Sequence, residues 1–121
     1  MSANTIIVSC SGGSDVGEIA DRAARSLARD GAGKMYCLAG IGAKLPSMVK
    51  FTLAADAVLA IDGCPQHCAA RCLENAGVAK FRHLRLADLG LVKGQAPATG
   101  EAVAAVANAG RDLLGAEEIS T

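Results

Sequence analysis

Four times along this chain a short apolar or β-branched run gives way, through a turn, to residues at helical spacing, and this alternation limits the possible folds more than any other feature. Residues 5–9 form the first strand-like run, and Cys10-Ser11-Gly12-Gly13-Ser14 is its small, polar turn. Ser14 is placed to cap a helix with Asp15 and Glu18 in its first turn, where the helix dipole favours carboxylates. Val16, Ile19, Ala20, Ala23, Ala24 and Leu27 recur on one face of that helix, and Gly31 suits its stop. Residues 34–38 read as a second strand, followed by a glycine loop at Ala39-Gly40-Ile41-Gly42 and a helix from Pro46 to about Ala55. Residues 57–61 are apolar throughout, as expected of a central strand covered on both faces. Asp62-Gly63 breaks that run, and a third helix is expected with Cys64 as its cap, Pro65 as its first residue and Gly77 beyond its end. Residues 81–86 alternate arginine with leucine like a strand near a sheet edge, and Thr99 can cap a last helix ending near Gly115.

Short connections between alternating strands and helices call for parallel strands joined by right-handed crossovers. The expected fold is α/β and Rossmann/flavodoxin-like: a single three-layer domain around a mainly parallel four-stranded sheet in the order 2-1-3-4. It occupies residues 4–116, with 117–121 as a C-terminal tail. With 121 residues, 51% of them apolar, the chain has enough core to fold without disulfide staples. Twelve basic side chains balance twelve acidic ones and only 2% of residues are aromatic, so no net field draws nucleic acid or anionic lipid and few rings could stack on bases. The first residues carry no basic region, long apolar stretch or cleavage signal, which leads to the expectation of a cytoplasmic protein. The five cysteines are an odd number, and in a reducing compartment their thiols stay available for metal or redox chemistry.

Cys10, Cys37 and Cys64 each follow a strand-like run, and Cys68 lies four residues beyond Cys64. In the order 2-1-3-4 the carboxyl ends of the first three strands share one edge, where α/β folds hold their ligands, so the four thiols converge. Tetrahedral zinc takes four such ligands, and residues four apart on one helix face the same point. Cys10, Cys37, Cys64 and Cys68 are therefore the expected metal ligands. Cys72 falls one turn further along, where a structural role suits it better than ligation.

The segments Cys10-Ser11-Gly12, Lys34-Met35-Tyr36-Cys37-Leu38-Ala39-Gly40-Ile41-Gly42, Ile61-Asp62-Gly63-Cys64-Pro65 with Cys68, and Ala87-Asp88-Leu89-Gly90 together resemble the DGC-domain proteins, a small family named for its Asp-Gly-Cys motif. The resemblance runs from about Ile6 to Val92 and implies a zinc site made by the same four cysteines. Many members carry a further cysteine where Gly13 stands in this chain. The resemblance implies no activity.

Enzyme signatures fail on spacing. A phosphate-binding Cys-x5-Arg loop would need arginine at Val16 or Ala70, and no Cys-x-x-Cys pair is present. Ser11-Gly12-Gly13-Ser14 lacks the glycine and lysine spacing of the nucleotide-binding loops and reads as a tight turn. Asp62 and Gly63 shape the turn before Cys64, Asp62 through hydrogen bonds to loop amides and Gly63 through a backbone angle that a side chain would resist. His67 is read as solvent-facing, His83 is given no role, and Lys34 and Lys44 are read as solvated.

Four thiolates leave zinc no open position, which disfavours hydrolysis and leaves no catalytic residue to assign. The expected function is zinc binding that works through occupancy: metal or redox sensing, storage or transfer. Two alternatives stay open at this point. One is a sulfur-transfer or redox enzyme using Cys64 with Cys68 as its resolving partner, and the other is an iron–sulfur protein. The metal ion is the one expected partner; neither nucleic acid nor membrane is expected, and the oligomeric state is unassigned.

Overall fold

The structure, a computed structural model, describes residues 4–115; the 117–121 tail lies outside them. Four parallel strands, β1 (Thr5–Ser9), β2 (Lys34–Met35), β3 (Ala57–Asp62) and β4 (Arg82–Arg85), form one sheet in the order β2-β1-β3-β4. This is the expected doubly wound arrangement. The helices are α1 (Asp15–Arg29), α2 (Leu38–Gly42), α3 (Pro46–Leu53), α4 (Cys68–Asn75) and α5 (Gly100–Gly115).

Strand pleating sends alternate side chains to opposite faces, and two separate cores result. Ile7, Leu59 and Ile61 pack with Val16, Ile19, Ala23 and Leu27 of α1 and with Val106 and Ala107 of α5. Ile6, Val8, Val58 and Ala60 point the other way, onto Ile41 of α2 and Ala69 and Leu73 of α4, with Phe51 of α3 at the margin. β1, and β3 from Val58 onward, are buried between these layers, which explains their unbroken apolar runs.

The start of α1 follows local signals. Ser14 accepts an N–H from Gly17 at 3.0 Å, and Gly31 takes the left-handed angle just past the end. The Asp15 carboxylate reaches across to the loop before α5, accepting from Gly94 at 3.0 Å and from Ala96 at 3.0 Å. These amides, Gly94 first, hold its carboxyl below the usual carboxylate range.

Two stretches depart from expectation. β2 ends at Met35, and the glycine stretch after it is a helix and not a loop. The Cys37 sulfur caps this helix by accepting from Gly40, and its glycines admit close neighbours: Met48 beside Gly40 and Cys72 beside Gly42. The third expected helix starts later than Cys64. Residues 64–67 form a turn closed by the His67 N–H on the Cys64 carbonyl at 3.2 Å, and α4 begins at Cys68. The residue before it, His67, is left-handed at φ 56°, so the chain reverses there instead of running on from Pro65.

Candidate functional site

All five cysteines are free; Cys10, Cys37, Cys64 and Cys68 lie in the loops and at the helix starts at the carboxyl edge of the sheet, and Cys72 lies one turn into α4. Cys10 follows β1 directly. Its backbone N–H continues the ladder to Ile61 at 3.1 Å, and its sulfur accepts the N–H of Gly63 at 3.3 Å. The loop after β1 is thus tied to the Asp-Gly-Cys turn after β3, across the point where the crossovers change direction. Ser11, left-handed at φ 50°, donates to Asp21 at 2.8 Å, and Asp21 also accepts from Arg25 at 2.8 Å, which pins this loop to α1.

Cys37 caps α2, its sulfur 3.4 Å from the Gly40 nitrogen, and is exposed. Cys10 and Cys37 thus each accept a backbone N–H at sulfur. Cys64 is half-buried in the turn before α4, and Cys68 is exposed at the first position of that helix. Cys64 and Cys68 therefore do not share one helix face, which corrects the expected i, i+4 pairing; the turn of residues 64–67 separates them. Among the described residues, no three His, Cys, Asp or Glu side chains are already gathered as a metal-holding group. The Cys10 sulfur faces the Gly63 N–H and the Cys37 sulfur the Gly40 N–H, so the convergence is of loops and not of sulfur atoms.

Gly63 serves a purpose other than the expected one. It has no left-handed angle, but a Cβ there would strike the carbonyl of Val16 in the first turn of α1. Cys72 lies on the second turn of α4, and a Cβ at Gly42 would come within 3.0 Å of its sulfur, so it packs against α2. Burial pushes the Cys72 thiol up, and the nearby Cys68 and Asp62 push it the same way. With Cys10 and Cys37, Cys72 lines a crevice between the ends of β1 and β2.

Sequence reasoning missed a second polar cluster beside the cysteines. The Asp62 side chain, 0% exposed, accepts from the Ala69 N–H at 2.8 Å and the Ala70 N–H at 3.1 Å, and lies 2.7 Å from Nε2 of His83. These are first-turn amides of α4, so a strand residue caps the helix. Ala60 pairs with His83, and Asp62, two residues on, points to the same face as Ala60, which brings carboxylate and imidazole together. His67 is half-buried, not solvent-facing, and meets the His83 ring edge-on at 5.0 Å and 89°. The available signal was strand parity once the β3–β4 register is known.

With this geometry in view, comparison with known proteins is direct. The chain matches the DGC domain over residues 6–109. It belongs to the DGC-domain family. The matched span holds all five cysteines, Asp62 and both histidines. Among this DGC protein's relatives is the anaerobic and virulence modulator AnvM of Pseudomonas aeruginosa, 38% identical over 88 residues, which cover 73% of this chain and 67% of that protein. No solved structure matches the chain. Among the described residues of this family member, no helix is long and apolar enough to cross a membrane.

Proposed function

We propose that this DGC-domain protein binds one zinc ion through Cys10, Cys37, Cys64 and Cys68 and acts as a metal- or redox-responsive modulator and not as a hydrolase. The observation that carries the reading is the 3.3 Å hydrogen bond from the Gly63 N–H to the Cys10 sulfur, which joins two of the three cysteine-bearing loops before any ligand is considered. The donor set is all sulfur, with no carboxylate among the four, and this chemistry fits a borderline-soft dication. Bound there, zinc would supply a closed, redox-inactive centre whose thiolate ligands are themselves oxidisable. The role of AnvM as an anaerobic modulator, by its name, fits a site whose occupancy follows thiol oxidation. Within this chain, Cys37 and Cys68 are exposed and would be the first sulfurs to meet an oxidant.

The test is metal content by mass spectrometry, with a visible spectrum, on protein purified without oxygen or a metal-affinity tag. One colourless zinc per chain, lost in Cys64→Ser, is the expected result. Iron with visible bands, or no bound metal, would overturn the zinc assignment.

A further inference from the structure

α3 is apolar on two sides, and only one of them is packed. Phe51 borders the core shared with α2 and α4, Met48 lies beside Gly40, and Thr52 is buried with its hydroxyl donating to the Met48 carbonyl at 2.8 Å. On the opposite side Pro46, Val49 and Leu53, at i, i+3 and i+7, make a second apolar stripe. The stripe lines a groove of about 350 Å³ between α3 and the end of α4, whose walls also include Lys44, Lys50 and Ala76. Leu53 is 55% exposed and Leu45, just before the helix, 48% exposed; they are two of the four large apolar side chains left exposed among the described residues. A surface helix ordinarily turns polar residues outward, so an apolar outer face of this kind marks a contact surface.

The rim of the groove is positive. Lys44 and Lys50 flank the stripe and no acidic side chain lines it. Among the described residues neither lysine has a carboxylate within ion-pair distance. Lys44 also stands where a helix end ordinarily takes glycine: it follows the α2 cap, is left-handed at φ 59°, and donates its N–H to the Ile41 carbonyl at 2.9 Å. A charge is thus kept at the groove in a backbone position that glycine would occupy with less strain.

We propose that this groove docks an amphipathic helix of a partner protein. Two apolar side chains four residues apart enter along Val49 and Leu53, and carboxylates beside them meet Lys44 and Lys50. Two other occupants fit the charge less well. A second copy packing α3 on α3 about a two-fold axis would bring Lys50, in mid-helix, towards its own counterpart. A lipid surface calls for a cluster of about four to eight basic residues, and the groove offers only Lys44 and Lys50. The docking surface uses no cysteine, so it stands or falls separately from zinc binding.

A fluorescein-labelled synthetic helix with paired leucines and flanking glutamates, titrated with the full-length chain and read by fluorescence anisotropy, tests the groove. Saturable binding that weakens as salt is raised is expected, and the same helix with lysine for each glutamate should bind about 10-fold more weakly. Leu53→Asp should weaken the acidic helix by about 10-fold, whereas Leu89→Asp, at an exposed leucine outside the groove, should leave it unchanged. Both leucines are exposed, so neither change empties the core. Lys44→Glu combined with Lys50→Glu should reverse the preference between the two helices. No binding of the acidic helix, equal binding of both helices, or a loss in Leu89→Asp equal to that in Leu53→Asp would overturn the docking site. A dimer, or adhesion to phosphatidylserine vesicles, that Leu53→Asp abolishes while the acidic helix fails to bind would assign the face to a second copy or to a membrane instead.

Discussion

Ser14 caps α1 from the adjoining position, accepting from Gly17 three residues on, whereas α4 takes its cap from Asp62, a β3 residue seven positions before Ala69. The difference is one of cooperativity. A local cap can be lost while the sheet stays whole, because only one turn of α1 depends on it. Asp62 satisfies two α4 amides and the His83 ring from within β3, so helix, central strand and edge strand share one carboxylate. Buried polar networks of this kind are costly to leave half-satisfied.

Substitutions at the two caps can break or sharpen the contrast. Asp62→Ala leaves two buried amides and an imidazole without their acceptor, and should lower unfolding stability by about 3 kcal/mol in urea titrations. A loss no larger than that of a local cap would remove the distinction. His83→Gln takes away a hydrogen bond to a carboxylate but leaves the helix amides served, and should cost about 1.5 kcal/mol by the same measurement. Ser14→Ala should cost about 1 kcal/mol, with faster amide exchange confined to the first turn of α1. The smallest effect should have the opposite sign. His67→Gly relieves a left-handed side-chain residue but adds chain entropy to the unfolded state, so thermal unfolding should show a gain of about 0.5 kcal/mol.

The same contrast explains how far the sequence could be read. Strands β1 and β3, the Ser14 cap, the Gly31 and Gly77 stops and the strand order follow from neighbours in sequence or from the cysteine positions. The late start of α4 does not, since Pro65 is an apt first helical residue and nothing nearby announces that His67 turns left-handed. α2 was hidden because glycine costs a helix about 1 kcal/mol, a penalty that here coincides with tight packing against Met48 and Cys72. At the site, the cysteine loops were legible from their places after strands. The Asp62–His83 pair needed the β3–β4 register, and the company of Cys72 with Cys10 and Cys37 needed the packing of α4 on α2; neither is carried by a single sequence.

Gly63 brings one more consequence. Where the Asp-Gly-Cys turn meets α1, main chain lies directly on main chain, with no side chain between them to flex. Any displacement of the turn is therefore a displacement of Val16 and of its neighbour Asp15, whose carboxylate grips Gly94 and Ala96 on the loop before α5. The Asp-Gly-Cys turn and the loop before α5 thus share one support, the first turn of α1, which meets the turn by main-chain contact and the loop through the Asp15 carboxylate.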